Sequence, residues 1–203
     1  MFTTKIIPVI VINDASKAKA LGETLVQNKL PIAEVTLRTE AALASIKAMS
    51  EVEGLVVGAG TVLTVEQAKA AVEAGASFLV SPGLHVDVVE YAKSVNVAII
   101  PGTTSATEIA SALALGVTTV KFFPAEAAGG PKLLKALSSV YPHVSVMPTG
   151  GINPSNLHNY LSIKTVIGCG GSWMVPADLV DNGDFDALGK LITEAVELSE
   201  QPA

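Results

Sequence analysis

The sequence predicts an α/β protein, a closed eight-stranded parallel (β/α)8 barrel (TIM barrel) that takes up residues 1–203 as one domain. Three observations point there. Short Val- and Ile-rich runs alternate with longer Ala-rich segments of helical spacing, and Gly or Pro marks many of the joins. Strands linked by helix-sized connections pair in parallel and are covered on both faces. The first apolar run continues into Val11-Ile12-Asn13-Asp14-Ala15-Ser16, without the Gly-rich phosphate loop that an open doubly wound sheet usually carries at that join. At roughly 25 residues per strand and helix the barrel is compact, and its N-terminus is short.

Taken in order, the strand candidates are 6–12, 32–37, 55–58, 77–80, 97–100, 118–122, 144–147 and 165–167. The helix candidates are 15–28, 40–50, 65–74, 86–94, 105–115, 131–139, 154–161 and 184–199, followed by a tail at 199–203 that is expected to fray. Several helix starts carry capping chemistry: Asn13-Asp14, Thr64 ahead of Glu66, Ser105 with Glu108 in capping-box spacing, and Pro154 in a first turn. A hydrophobic fraction of 49% with 16% charged residues is enough to fill one large core and excludes intrinsic disorder.

The net charge of -6, from 19 acidic and 13 basic residues, gives no electrostatic footprint for nucleic acid or an anionic membrane. Any anionic ligand has to be held locally. Every apolar run is cut by Gly, Pro or a charge before the roughly 18 residues a membrane-spanning helix needs, so a soluble protein is expected. Residues 1–14 show no small-residue cleavage site, and Pro8 interrupts their apolar stretch, which argues against a secretory signal. A single cysteine, Cys169, excludes an internal disulfide and a cysteine zinc cluster and fits a reducing cytoplasm.

Catalytic groups in such a barrel come from the C-terminal ends of strands and the loops after them. Period-two alternation in the second strand puts Glu34, Thr36 and Arg38 on one face, with Ala33, Val35 and Leu37 on the other. If the apolar set packs under the helices, Glu34 and Arg38 point inward, where an unpaired charge is costly. The bland alternative is an internal ion pair, or both residues at the rim.

The sixth strand carries one lysine, Lys121, flanked by apolar residues and ending at Pro124. Burial disfavours the ammonium form, leaving an electron pair able to attack a ketone. A snorkelling lysine needs a sheet edge, and a closed barrel has none. Lys121 and a carboxylate in one barrel mouth suffice for Schiff-base chemistry.

The loops after the last two strands, Pro148-Thr149-Gly150-Gly151 and Gly168-Cys169-Gly170-Gly171-Ser172, occupy the places where barrels bind phosphate through backbone N–H groups. Thr61, Pro82 and Thr103 follow other strands and are candidates for the pocket wall, although turn chemistry alone would also explain them. His85, His143 and His158 have no ligand spacing and read as surface residues, and Trp173 reads as packing. No metal site is visible and no cofactor is called for, since imine chemistry needs neither. Two other readings stay open at this point: a different phosphate-binding barrel enzyme, such as an isomerase or synthase, and a non-catalytic barrel that binds a sugar phosphate.

Glu34-Val-Thr-Leu-Arg38, Gly58-Ala-Gly-Thr-Val62, Lys121-Phe-Phe-Pro-Ala-Glu126, Pro148-Thr-Gly-Gly-Ile152 and Gly170-Gly-Ser-Trp173 together resemble the class I aldolases that act on 2-keto-3-deoxy-6-phosphogluconate and 4-hydroxy-2-oxoglutarate. The resemblance runs in unbroken order from Pro8 to about Glu197. It implies Lys121 as the Schiff-base lysine and Glu34 as the proton-shuttling carboxylate. Arg38, Thr61, Pro82 and Thr149 would line the substrate pocket, and Gly150, Gly151, Gly171 and Ser172 the phosphate end. The implied partners are a small 2-keto acid and a phosphorylated aldehyde, and the implied assembly is a homotrimer.

The chain departs from that family in three places. It lacks almost all of an extra helix before the first strand, so a different plug is expected at the barrel bottom. Asn28-Lys29-Leu30 stands where the family usually has Gly, with Asn28 expected to take the left-handed turn. Ser105-Ala106 replaces a common Thr-Pro, so that Thr103 is expected to alter the pocket wall.

Overall fold

A computed structural model describes residues 3–202. Nine short strands run through it: β1 (Ile6–Ile10), β2 (Ile32–Thr36), β3 (Val56–Gly60), β4 (Phe78–Val80), β5 (Ala98–Ile100), β6 (Gly102–Thr103), β7 (Thr119–Phe122), β8 (Ser145–Pro148) and β9 (Cys169–Gly171). The helices are α1 (Ala18–Gln27), α2 (Ala42–Ser50), α3 (Val65–Glu73), α4 (Val86–Ser94), α5 (Ala106–Ala114), α6 (Ala125–Ala128), α7 (Gly130–Val140), α8 (Leu157–Leu161), α9 (Ala177–Asn182) and α10 (Phe185–Glu200).

The strands pair in parallel, but the closed eight-stranded barrel is not what they form. They hydrogen-bond into two sheets, one of six strands in the order β5-β4-β3-β2-β1-β9 and one of three in the order β6-β7-β8. Both breaks have a local cause. Pro101 stands between β5 and β6 and has no N–H to offer a ladder, so the chain leaves one sheet at Ile100 and enters the other at Gly102.

At the second break the chain first follows β8: Val146 N–H donates to the Thr165 carbonyl at 2.8 Å and Ile167 N–H to the Val146 carbonyl at 3.0 Å. It then changes partner at Gly168, and Cys169 N–H donates to the Lys5 carbonyl at 2.9 Å. A Cβ on Gly168 would sit 2.8 Å from Ile7 Cδ1, so only glycine lets the chain pass this close to β1. The expected strand at 165–167 is therefore displaced to 169–171, and the chain around β8 meets residues 166–170 through the isolated bridges Val146 to Val166 and Thr149 to Gly170.

Strand β2 is buried along its whole length, on the helix-facing side and on the interior side alike. Ile6, Ile10, Ala33, Val35, Ala59, Leu79 and Ile100 are fully buried among the core residues, which is the pattern of parallel strands covered on both faces. The expected helix 131–139 is α7, and the short α6, which has no counterpart in the sequence reading, precedes it, with Gly129 and Gly130 at φ of 127° and 61° making the corner between the two. Helix α9 has no counterpart in the sequence reading. Helix α10 continues to Glu200 with Ser199 buried, so the tail proper is shorter than expected.

The left-handed residue before β2 is Lys29, at φ 62°, and not Asn28. Asn28 instead donates from Nδ2 to the Thr24 carbonyl and accepts from Thr193 Oγ1 at 2.9 Å, which ties α1 to α10. An amide already committed to two helices has no side chain left to support its own turn.

The capping box at α5 is present. Ser105 Oγ accepts from Glu108 N–H, and Glu108 Oε2 accepts from the N–H groups of Thr104 and Ser105 at 2.8 and 2.9 Å. Burial pushes the Glu108 carboxyl up, but these bonds and those from the Thr104 and Ser105 hydroxyls outweigh it and hold the group below its ordinary value of 4.5. A carboxyl lowered in the fold adds stability that is full above the unfolded value and is lost as pH falls through the folded one. Glu108→Ala is expected to cost about 1–2 kcal/mol at pH 7 in urea unfolding. The gap to wild type should narrow as the pH falls below 4.5; a gap that stays constant down to pH 2 would contradict this account.

Candidate active site

Two buried charges from different sheets meet inside the molecule. Glu34 lies in the middle of β2 and is fully buried, while Lys121, in β7, is 5% exposed. Lys121 Nζ donates to Glu34 Oε1 at 3.2 Å. The second carboxylate oxygen, Oε2, is buried with no hydrogen-bond partner among the described residues. The Phe123 ring packs against the ammonium, 5.1 Å from ring centre to Nζ.

Room for the carboxylate comes from the neighbouring strand. A Cβ on Gly60, in β3, would overlap Glu34 Oε1 and lie 2.8 Å from Glu34 Cγ, so a side chain there would displace the acid. The Gly-Ala-Gly run that first reads as turn chemistry thus clears space for a charge.

Arg38 does not pair with Glu34. It is exposed beyond the end of β2, where its Nε donates to Thr61 Oγ1 at 3.2 Å. The backbone that presents it is pinned to β1, since Thr36 Oγ1 donates to the Ile10 carbonyl at 2.9 Å and Thr39 Oγ1 to the Ile12 carbonyl at 2.6 Å. Thr61 holds φ at 58°, a left-handed conformation that non-glycine residues rarely adopt and that often marks functional positions.

A groove of about 230 Å³ opens at the C-terminal ends of the strands; Lys121 and Glu34 do not line it, but Phe123, whose ring faces the Lys121 amine, does. Of the residues named from the sequence, Arg38, Thr149, Gly150, Gly151, Gly171 and Ser172 line it, and so do Phe123, Ile152 and Gly170. Gly170 has a steric reason: a Cβ there would overlap Thr149 Oγ1, a buried hydroxyl without a partner among the described residues. Its signal in the sequence is only the extra glycine in Gly168-Cys-Gly-Gly171. Thr61 reaches the groove through Arg38. Pro82 does not line it, and its carbonyl instead packs where a Cβ on Gly102 would be. Thr103 is buried beneath, its hydroxyl directed at the Lys121 carbonyl at 3.4 Å.

The carbonyls of the glycine loop are tied to the start of α6 and to Asn156, and in a trans peptide each N–H points opposite the preceding carbonyl, so the Gly150 and Gly151 N–H groups face away from α6. Thr149 and Gly150 carbonyls accept from Ala125 and Glu126 N–H at 2.8 and 3.0 Å, and the Gly151 carbonyl accepts from Asn156 Nδ2 at 3.0 Å. Gly150 and Gly151 N–H donate to no group among the described residues. Such a row of unspent donors is suited to an anion. Cys169, beside this loop, is fully buried, and burial pushes its thiol up to about 12, which leaves it unreactive. A larger hollow of about 490 Å³ lies between α1 and α10, but neither the glycine loops nor any residue in contact with the buried charges lines it.

The model of the KDPG and KHG aldolase family matches residues 1–191. The KHG/KDPG aldolase of Escherichia coli K12 is 43% identical over 196 residues, 96% of this chain and 92% of that protein. The 2-keto-3-deoxy-6-phosphogluconate aldolase of Zymomonas mobilis ZM4, solved with 3-phosphoglycerate, is 43% identical and superposes with a TM-score of 0.91 over 96% of this chain and 92% of its own. The KDPG aldolase of Legionella pneumophila, solved with pyruvate captured at low pH as a covalent carbinolamine intermediate, is 39% identical with a TM-score of 0.91 over 95% and 94% of the two chains. With matches of this extent over a fold that brings a lysine and a carboxylate together in its interior, the chain belongs to the KDPG and KHG aldolase family.

Proposed function

We propose that the protein is a Schiff-base (class I) aldolase that cleaves 2-keto-3-deoxy-6-phosphogluconate to pyruvate and glyceraldehyde 3-phosphate, and 4-hydroxy-2-oxoglutarate to pyruvate and glyoxylate. The observation that carries this reading is the buried contact between Lys121 Nζ and Glu34 Oε1 at 3.2 Å, in a fold whose strand ends also hold a groove lined by a glycine loop with unpaired backbone donors. A phosphate-binding isomerase or a non-catalytic sugar-phosphate binder has no use for that pair.

Glu34 takes the proton from Lys121, and the free amine attacks the C2 ketone of the substrate. Loss of water gives an imine whose protonated form is the electron sink. Glu34, its proton passed on with the departing water, then accepts the proton of the C4 hydroxyl. The C3–C4 bond breaks, its electron pair moves into the enamine of pyruvate on Lys121, and the aldehyde leaves. The proton held by Glu34 is returned to C3, and water hydrolyses the imine to release pyruvate and restore the amine.

The unpartnered Oε2 supports Glu34 as the acceptor, because a buried carboxylate oxygen without a donor is unfavourable until a hydroxyl reaches it. Arg38, with Nε committed to Thr61 and Glu34 committed to Lys121, is read as holding the substrate carboxylate through its terminal nitrogens. Thr149 is read as a hydroxyl partner for the keto acid. Gly150, Gly151, Gly171 and Ser172 are read as the phosphate cradle.

We further propose the homotrimer that the family implies. Leu63 and Val86, 43% and 49% exposed just past β3 and β4, offer apolar surface for self-association, and sedimentation velocity checks it. Among the described residues no helix is long and apolar enough to cross a membrane. A cytoplasmic location is supported by the lone, buried thiol.

Lys121→Ala is expected to abolish turnover and the mass gain that borohydride produces with pyruvate; activity within tenfold of wild type would refute the assignment. Glu34→Gln should keep part of its borohydride trapping while carbon–carbon cleavage slows by roughly 100-fold or more, the scale of a lost acid or base. Unchanged cleavage would move the base elsewhere. Ser172→Asp places a negative charge against the phosphate, so kcat/KM should fall much further for 2-keto-3-deoxy-6-phosphogluconate than for 4-hydroxy-2-oxoglutarate. Equal losses on the two substrates would mean that this loop does not read phosphate.

A further inference from the structure

We infer that Glu126 and Tyr160 form a clamp behind the Gly150-Gly151 loop that fixes its N–H groups in the anion-accepting direction and thereby sets the affinity for the phosphate end of the substrate. This rests on the phosphate reading of the groove given above. Neither residue lines the groove, so both act as positioning residues.

The need for a clamp follows from the backbone. Gly150 and Gly151 hold φ at 102° and 79°, conformations that glycine alone visits cheaply and from which it also escapes cheaply. A carbonyl turned into the groove would repel an anion, and a loop that must be ordered at each binding event spends binding energy on its own entropy. The loop therefore has to be held from outside.

Glu126 holds it at three points. Its N–H donates to the Gly150 carbonyl at 3.0 Å, so that oxygen is committed away from the groove. Its Cβ and Cγ fill the place that a Gly151 side chain would take: a Cβ there would lie 2.8 and 2.7 Å from them. Its carboxylate Oε1 accepts a hydrogen bond from the Tyr160 hydroxyl. Tyr160 is fully buried on α8, which leaves the carboxylate an immobile anchor.

The anchor also removes a hazard. A free carboxylate on a side chain packed against Gly151 would repel a phosphate dianion held there. Bonded to Tyr160, Oε1 is held on the Gly130 side, where a Cβ on Gly130 would lie 3.5 Å from it and 3.6 Å from the tyrosine oxygen. One hydroxyl thus both steadies the loop and keeps a like charge out of it.

Tyr160→Phe deletes only that hydroxyl, and Glu126→Gln keeps the stem while removing the charge. Inorganic phosphate is the probe, used as a competitive inhibitor, beside turnover of both substrates and borohydride trapping with pyruvate. For Tyr160→Phe the inhibition constant for phosphate and KM for 2-keto-3-deoxy-6-phosphogluconate should both rise about tenfold, the scale of one hydrogen bond, with kcat within twofold. Trapping and turnover of 4-hydroxy-2-oxoglutarate should stay within twofold. Glu126→Gln should fall between wild type and Tyr160→Phe, because an amide still accepts from the hydroxyl.

Phosphate inhibition and KM unchanged in Tyr160→Phe would overturn the inference, as would equal losses on both substrates, which would mark a general structural defect. A wild-type enzyme that neither is inhibited by phosphate nor distinguishes the two substrates would instead remove the cradle itself, and the clamp with it.

Discussion

The structure is organised around one buried ion pair that spans its two sheets. Glu34 belongs to the six-stranded sheet and Lys121 to the three-stranded one, and the two charges touch where neither has water. Such a pair is a poor way to stabilise a fold, because desolvation of two ions offsets most of their attraction. Its surroundings are shaped for it all the same. Gly60 gives up a side chain to make room for the carboxylate, and the Phe123 ring faces the ammonium. A hydrophobic pair would fill this space more cheaply, so the reason for the charges has to be sought in what they do to a ketone and a hydroxyl brought between them.

The two breaks in the strand ladder bear on the same point. Pro101 bounds the small sheet on one side and Gly168 on the other, so β6, β7 and β8 form a leaf of their own. That leaf carries the lysine in its middle strand, Thr103 on one flank, and Thr149 with the glycine loop at the end of the other. The six-stranded sheet contributes the acid and, through the turn after β2, the arginine. The groove lies along the line where the leaf meets β9 and β1. The same local irregularities that spoil a continuous barrel ladder therefore lie beside the site, where strand ends have to turn apart to leave space.

Much of this was legible in the sequence, and the failures have physical causes. Lys121 stood out because a lone lysine among Val and Phe has no solvent to reach, and Glu34 because strand periodicity turned it inward. Periodicity sees one strand at a time, however, and it left open whether Arg38 pairs with Glu34, whereas the partner of Glu34 lies 87 residues away. Closure of the barrel was inferred from eight alternating strands and the missing Gly-rich loop of an open sheet, but closure depends on an unbroken exchange of N–H and C=O groups, and one proline and one glycine interrupt that here. Asn28 was favoured for the left-handed turn on propensity; its amide is held by two helices, and Lys29 takes the strain. Gly60 reads as turn chemistry and Gly170 as one more glycine of a phosphate loop, because the reason for their smallness, a neighbour's side chain, is invisible until the neighbour is placed.

The site divides its work between side chains and backbone. Charge that must move sits on side chains inside strands, where packing on both faces fixes their direction. Charge that must only be held is met by backbone N–H groups in loops, whose direction is fixed by where their carbonyls are tied. The second arrangement needs support from residues that never face the ligand, here the first turn of α6, Asn156 and the tyrosine of α8. It also places binding energy at the end of the substrate remote from the breaking bond, where it can orient the C3–C4 bond over the lysine without contact with the reacting atoms. In the mechanism proposed above a short substrate forgoes that contribution and depends on the ion pair and Arg38 alone, so the lysine–glutamate pair would set which bond breaks, and the loop how strongly a phosphorylated substrate is preferred.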